Sequence, residues 1–387
     1  MRALDQADMA SRSIAVLQVL PALESGGVER GTLEVGRHLV EHGHRSLVMS
    51  AGGRLVGQLA GEGSRHFCWP IGEKSLRTLG LVRKLRRFLV EQQVDILHVR
   101  SRLPAWVGYL AWRGMNPATR PRLVSTFHGF YSINSYSAVM TKAEHIIAVS
   151  DCIADHIAKE YGPHAPVTTI HRGIDPGEYS GGFRPDAPWR RRWAEEYPHL
   201  QRKRLVTLPG RITRLKGHHD FIEIIGRLKA MMPDVHGLIV GGYEPRRSSY
   251  FAELEEAIRR RGLSSDITFT GNRGDLKEIM SISALVLSLS SQPESFGRTV
   301  LEALALGVPV VAYDHGGASE ILGAMLPAGL VGLKDLPQLI EVSIAFLRQA
   351  PAIGKLPEKF MLETMLSGTL GVYCNLLGEP CARPTIS

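Results

Sequence analysis

The sequence predicts an α/β protein made of two doubly wound halves, each an open parallel sheet with helices on both faces. Three observations predict this. Short apolar runs rich in β-branched residues alternate with longer helical patterns along most of the chain. The alternation breaks off at a turn-rich, charge-dense stretch and then restarts. Finally, 387 residues are too many for one ordinary core and suit two.

In the first half, residues 14–20 read as a strand that ends at the glycine turn Ser25-Gly26-Gly27, and residues 28–42 read as a helix closed by Gly43. Further strands are expected at 46–50, 96–99, 123–126 and 146–149. The break runs from Ile174-Asp175-Pro176-Gly177 through Gly181-Gly182 and Arg190-Arg191-Arg192 to Arg202-Lys203-Arg204. It lacks strand periodicity, so residues 186–204 suit a linker between a first domain at 1–185 and a second at 205–355. In the second half, strands are expected at 205–208, 235–240, 267–270, 285–289 and 308–312, separated by helices such as 220–231 and 250–261. A last segment, 356–387, holds a helix at 358–377 and a loose tail after Gly378.

An apolar fraction of 44% and a charged fraction of 22% describe a globular chain and exclude a disordered or fibrous one. No apolar run approaches the roughly 20 residues that a membrane-spanning helix needs. The opening residues carry acids before the first apolar stretch and lack a secretion-signal pattern, so a cytoplasmic location is expected. Cys68, Cys152, Cys374 and Cys381 have no metal-ligand spacing, as expected where thiols stay reduced. A net charge of +8 favours an anionic partner.

In doubly wound sheets ligands bind beyond the carboxyl ends of the strands, so polar and glycine residues just after a strand are the site candidates. Gly210-Arg211-Ile212-Thr213-Arg214-Leu215-Lys216-Gly217 follows a strand and precedes a helix. Arg211, with its planar fork, and Lys216, a compact charge, could bracket a diphosphate. A solvated basic loop is the competing reading, and the spacing is not that of a P-loop. The segment 293–302 places Glu294 in a loop, Gly297 at the start of a helix, and Glu302 about two turns into it. Amides of Ser295, Phe296, Gly297 and Arg298 can then point at an anion. Carboxylates accept from vicinal diols, so one glutamate could hold a sugar and the other a ribose. Alternatively Glu294 offsets a helix dipole and Glu302 is an ordinary surface residue. Gly316-Gly317 with Glu320 forms a third strand-to-helix turn, which could equally be a plain cap.

Taken together and in order, these segments resemble the retaining glycosyltransferases of the GT-B fold, specifically the large family four that includes lipopolysaccharide-core and other cell-envelope sugar transferases. The resemblance runs through Gly26-Gly27-Val28-Glu29, His98 with Arg100 to Trp106, Thr126-Phe127-His128-Gly129, Val149-Ser150, Gly173-Ile174-Asp175, Gly210-Arg211 with Lys216-Gly217, the Glu-x7-Glu pair Glu294 and Glu302, and Gly316-Gly317 with Glu320. It implies two Rossmann-like domains facing a central cleft and a nucleotide-sugar co-substrate, a UDP-sugar being favoured. It implies that Arg211 and Lys216 hold the donor diphosphate, Glu302 the ribose and Glu294 the transferred sugar, with Ser295, Phe296 and Gly297 beside them. His128 would then lie beside the reacting carbon, making His128 and Glu294 the catalytic pair, while Gly26 and Gly27 admit phosphate or acceptor. Such enzymes are usually metal-independent, and no DxD motif at a strand end contradicts that.

For the acceptor, His98, Arg100 and Arg102 after a strand suit an anion-binding wall, and the resemblance points to a lipid-linked or phosphorylated glycan. Ion pairing within the fold is the competing reading of those arginines. Residues 75–92 place Leu76, Leu79, Val82, Leu85, Phe88 and Leu89 near one helical face with Arg77, Arg83, Lys84, Arg86 and Arg87 around it. This pattern suits either contact with anionic lipid or a face turned to the domain's own core. A sugar-nucleotide epimerase or hydrolase of the same fold is the nearest rival. Nucleic-acid binding is disfavoured because the basic residues are dispersed and lack aromatic partners. A dehydrogenase is disfavoured by the missing GxGxxG.

Overall fold

The computed structural model describes residues 12–24, 26–162, 164–243 and 248–380, leaving aside the side chains of residues 76, 77, 79 and 248. The chain forms two compact units. The first runs to Arg172 and takes in the chain again from Glu363, and the second is Gly173–Leu362.

The first unit has seven strands: β1 (Ala15–Val19), β2 (Arg45–Ser50), β3 (Arg65–Cys68), β4 (Ile96–Val99), β5 (Arg122–Phe127), β6 (His145–Ala148) and β7 (Val167–Thr169). They form one parallel sheet in the order β3-β2-β1-β4-β5-β6-β7. The crossover helices are α1 (Gly27–Glu41), α2 (Val56–Gly61), α3 (Leu76–Glu91), α4 (Arg102–Arg113) and α5 (Asp151–Glu160). β1, β4 and most of β5 are buried throughout, which is why they read as continuous apolar runs.

In the second unit, α6 (Ala187–Glu196) precedes β8 (Arg204–Pro209), α7 (His218–Met231), β9 (Val235–Val240), α8 (Ser248–Arg260), β10 (Ile267–Gly271) and α9 (Leu276–Ser281). Then come β11 (Leu285–Ser288), α10 (Arg298–Ala305), β12 (Val310–Tyr313), α11 (Gly316–Met325), β13 (Leu330–Val331) and α12 (Leu336–Arg348). The six strands are parallel in the order β10-β9-β8-β11-β12-β13. The final helix, α13 (Leu362–Leu377), belongs to the first unit from Glu363 on.

Three of the expected boundaries shift. The stretch expected as linker, 186–204, is packed structure: Asp186 caps α6 by accepting from the Trp189 amide at 2.7 Å, and Trp189 stacks on Trp193 with ring centroids 5.3 Å apart. Both tryptophans are buried with Leu205, Leu238 and Ile279, while the arginines between them stay exposed. The unit boundary falls at Arg172/Gly173, not at 185. The helix expected at 358–377 is broken at Met361, which bridges to Ile174, so the regular helix starts at Leu362. The tail from Cys381 on, Ser25 of the glycine turn and the first eleven residues lie outside the described residues.

Strand order reverses between β1 and β4 in the first unit and between β8 and β11 in the second. Crevices for ligands open at such switch points, beyond the carboxyl ends. Gly26 follows β1 and Arg100 follows β4, with His128 after the next strand, β5. In the second unit, Arg211 follows β8 and Glu294 follows β11. The candidate residues therefore occupy the two places where this topology opens a crevice.

Candidate functional site

In the second unit the loops after β8 and β11 are locked together backbone to backbone. The Ser291 amide donates to the Leu215 carbonyl at 2.8 Å. Gly217, at φ +72°, lies so close to the neighbouring chain that a Cβ there would fall 2.1 Å from the Leu289 carbonyl oxygen. That contact brings Lys216 to Glu294: its Nζ donates to Glu294 Oε1 at 2.6 Å. Ser290 Oγ donates to the same carboxylate, and the Ser290 carbonyl is 2.7 Å from His315 Nε2. Burial pushes the Glu294 carboxyl upward, but the Lys216 ammonium, the Ser290 hydroxyl and nearby His315 outweigh it, and the group sits below the ordinary carboxylate value. Glu294 is thus an anion at neutral pH, partly open to solvent.

Arg211 is exposed and makes no ion pair among the described residues, while the Lys216 stem crosses Gly210, about 3.3 Å from where a Cβ would stand. The loop thus presents one open guanidinium and one ammonium already matched to a carboxylate. Gly297, at φ +88°, is the N-cap of α10, with Ser295 half-buried and Phe296 buried edge-on to Phe360 at 5.9 Å. Glu302 differs from a surface residue: its side chain is 5% exposed and accepts from Arg298 Nε at 3.0 Å, one turn earlier. A diol reaching it must share it with Arg298. Gly316 and Gly317 make room for this unit's own backbone. A Cβ at Gly316 would be 2.6 Å from the Glu294 carbonyl oxygen, and one at Gly317 would be 2.4 Å from Phe296 Cα.

In the first unit, His128 stands after β5 and receives a hydrogen bond at Nδ1 from Arg172 Nη2 at 2.8 Å. Its Nε2 is buried and has no hydrogen-bond partner among the described residues. Burial, with Arg172, Arg100 and His98 adding to it, holds the ring well below its ordinary pKa, so it is neutral. Gly26 is extended and a Cβ there would meet only the flexible Glu29 carboxylate, while Gly27 is open to 4 Å. Neither glycine is required by the described backbone around it.

The acceptor wall expected from His98, Arg100 and Arg102 is corrected by the structure. His98 is buried and uses both ring nitrogens internally, Nδ1 with Tyr373 Oη at 2.7 Å and Nε2 with Thr126 Oγ1 at 2.6 Å. Arg100 is also buried and donates to Gln18 Oε1 at 2.5 Å. Arg102 lies over the rings of Tyr131 and Tyr136, 4.9 and 5.5 Å from their centroids, and donates to Ser137 Oγ at 3.3 Å. Alternation in the strand fixed which residues stand at its end but not which way they turn, and two of the three turn inward. His98, Arg100, Thr126 and Arg172 line a cavity of about 10 Å³, room for one water and no more.

On α3, Leu81, Leu85, Phe88 and Leu89 face the unit's own core, and Arg86 donates to the Leu110 and Ala111 carbonyls. Arg83, Lys84 and Arg87 remain outward. The side chains of Leu76, Arg77 and Leu79 lie outside the described residues. Among the described residues no helix is long and apolar enough to cross a membrane.

Arg172, which meets His128 at 2.8 Å, is a residue of this cluster that the sequence did not single out. It stands just before the turn-rich stretch that starts at Ile174, after β7, a strand of three residues too short to show a pattern.

Residues 25–178 match the family described as Glycosyltransferase Family 4, and residues 190–347 match Glycosyl transferases group 1. The chain is 29% identical over 224 residues to the lipopolysaccharide core biosynthesis mannosyltransferase LpsB of Rhizobium meliloti, covering 55% of this chain and 62% of that protein. It is 27% identical over 256 residues to a GDP-mannose-dependent phosphatidylinositol monomannoside mannosyltransferase of Mycolicibacterium smegmatis, covering 61% and 63%. The alignments thus span about three fifths of these relatives' length. Among solved structures, a glycosyltransferase from Rickettsia africae superposes with a TM-score of 0.78 at 27% identity over 94% of this chain and 99% of that one. Anabaena Alr3699/HepE, solved with UDP and glucose, superposes at 0.75 with 21% identity, covering 94% and 100%, a likeness of fold.

Proposed function

The chain belongs to the GT-B glycosyltransferases, with a family-four first half and a group 1 second half, and from that premise we propose that it transfers a sugar from a nucleoside-diphosphate donor to a lipid-linked or phosphorylated glycan with retention at the anomeric carbon. The observation that carries the reading is the Lys216–Glu294–Ser290 constellation at the β8/β11 switch point, with Arg211 open beside it.

The chemistry needs a cation where a diphosphate leaves and a hydrogen-bond acceptor where sugar hydroxyls lie. Arg211 and Lys216 supply the first and ionised Glu294 the second. Glu302 with Arg298 takes the ribose. The acceptor hydroxyl attacks the anomeric carbon on the face from which the diphosphate departs. A carbon–oxygen bond forms as the bond to phosphate breaks, and the hydroxyl proton passes to the departing phosphate oxygen. His128, neutral with its Nε2 unpartnered, donates a hydrogen bond to the donor sugar. No metal is assigned a part because the two cations do that work, so chelation by EDTA is expected to leave the rate unchanged. Names of relatives that act in lipopolysaccharide-core and phosphatidylinositol mannoside synthesis support a cell-envelope acceptor.

A screen of UDP-, GDP- and ADP-sugars, with and without glycan acceptors, tests the reading and fixes the base. Formation of a glycan product supports it, while donor conversion without acceptor favours an epimerase or hydrolase. Binding of nucleic acid at physiological salt with no nucleotide sugar bound would sink it. His128→Ala is expected to lower turnover about a hundredfold with donor affinity little changed, and near-normal turnover would remove His128 from the mechanism.

Contact with anionic lipid is proposed through Arg83, Lys84 and Arg87, since Leu81, Leu85, Phe88 and Leu89 of α3 face the unit's own core. Each basic group near an anionic surface is worth about 1 kcal/mol. Sedimentation with phosphatidylserine vesicles is therefore expected at low salt, to be lost at high salt, and to weaken strongly when the three residues become Gln. Salt-resistant binding would contradict a purely electrostatic contact.

A further inference from the structure

Two arginines and two histidines cluster under the carboxyl ends of β4, β5 and β7 in the first unit, and the proposed reaction uses only one of the four. We infer that Arg172 is a positioning residue that fixes His128 as the Nε2–H tautomer, so that the ring offers substrate a hydrogen-bond donor and never a base. The inference rests on the proposed function for what that donor meets, but not for the tautomer itself.

A guanidinium carries only donors. At 2.8 Å from His128 Nδ1, Arg172 Nη2 requires a lone pair on that nitrogen, which leaves the single ring proton on Nε2. That nitrogen is the buried one with no partner among the described residues. A buried donor left unmet costs about 1–3 kcal/mol, and such groups are retained where something else uses them. His98, by contrast, has both nitrogens engaged and has no donor to offer.

Arg172 is itself held from two further elements. Its Nη1 lies 3.6 Å from Met365 Sδ on α13. On α1, Gly31 leaves the room its head group fills, since a Cβ there would stand 2.5 Å from Nη1. Among the described residues, the other charged or titratable groups acting on the ring are Arg100 after β4 and His98 on β4, with the Tyr131 hydroxyl 3.4 Å from the His128 amide nitrogen. Behind these, Tyr373 faces His98 and Arg100, and Glu29 and Glu34 of α1 act on Arg100. The groups acting directly on the ring's charge are cationic or neutral, so a second ring proton is opposed from several sides.

The test is the ring's nitrogen spectrum in the full chain without substrate, labelled with ¹⁵N-histidine, His128 being assigned by the signal missing in His128→Asn. The expected result at pH 7 is a pyridine-type Nδ1 and a pyrrole-type Nε2, persisting as pH is lowered to 5. In Arg172→Met the ring should populate both tautomers and titrate nearer the ordinary 6.5. Gly31→Ala, which keeps the arginine but crowds its head group, should shift the spectrum in the same direction by less. A protonated Nδ1 in the wild type at pH 7, or a tautomer unchanged in Arg172→Met, overturns the inference. If Arg172→Met does not fold, the wild-type spectrum and Gly31→Ala decide. Transfer rates are read separately: an intact Nε2–H signature with normal turnover in His128→Ala would refute the functional reading and leave the tautomer assignment standing.

Discussion

Lys216→Ala is expected to cut sugar transfer by about a hundredfold to a thousandfold, the usual cost of deleting one fixed group that stabilises developing charge. The residue has two tasks in one place. Toward the donor, in the proposed reaction, it supplies positive charge to a leaving diphosphate. Toward the protein it neutralises Glu294, whose side chain is only 23% exposed and whose carboxylate it meets at 2.6 Å. Deletion therefore leaves a largely desolvated carboxylate with, among the described residues, Ser290 and His315 to support it. A stability loss of about 1–3 kcal/mol should accompany the loss of activity.

The pH dependence separates the two tasks. In the wild type the folded-state pKa of Glu294 lies below its ordinary value of 4.5. Its contribution is therefore fully present above about pH 4.5 and is lost as pH falls through the lower folded value. In Lys216→Ala the upward push of burial has lost its main opponent, so ionisation no longer stabilises the fold to the same degree. The difference in unfolding free energy between the two proteins should be largest near neutrality and shrink on acidification. Denaturant titrations at pH 7 and pH 4 measure it. A difference that does not change with pH would mean that the pair contributes nothing through Glu294.

How much of this was legible in sequence depended on where burial left a pattern. The central strands are covered on both faces, so they appear as unbroken apolar runs, and all ten strands expected from the sequence are present. β3, β7 and β13 lie at sheet edges or run only two to four residues, as in Arg65–Cys68 and Val167–Thr169, and carry no such run. The 186–204 stretch misled because its charge is a solvated helix face while two tryptophans do the packing. Site residues were legible as positions and not as partners. Lys216 and Glu294 were each visible after a strand, but their pairing spans 78 residues and depends on the Gly217 contact with Leu289. His98 and Arg100 occupy the expected strand end yet turn inward, because Tyr373, Thr126 and Gln18 meet them there. Arg172 escaped notice because the strand it follows, β7, runs only three residues and carries no apolar run.

Gly317→Ala is expected to damage folding and donor binding together, and the reason is what the new methyl group would strike. A Cβ at Gly317 would lie 2.4 Å from Phe296 Cα and from its carbonyl oxygen. Backbone atoms cannot rotate aside as a flexible side chain can, so either α11 or the 294–297 loop must move. The Gly317 amide already donates to the Glu294 carbonyl at 2.8 Å, so a shift that relieves the clash also disturbs the residue proposed to hold the sugar. Overpacking of this kind costs about 1–3 kcal/mol. The helical backbone at Gly317 suits alanine, so the penalty comes from crowding alone, whereas Gly316, at φ +63°, would add strain to it. Gly27→Ala is the matched control: it opens α1, a Cβ there meets nothing within 4 Å, and alanine is the better helix former. That variant should be at least as stable as the wild type, so any activity it loses reflects a ligand excluded from the end of β1. Thermal unfolding and donor titration of both variants check this. A Gly317→Ala protein with unchanged melting and unchanged donor affinity would show that the 294–297 loop does not need α11 to hold Glu294 in place.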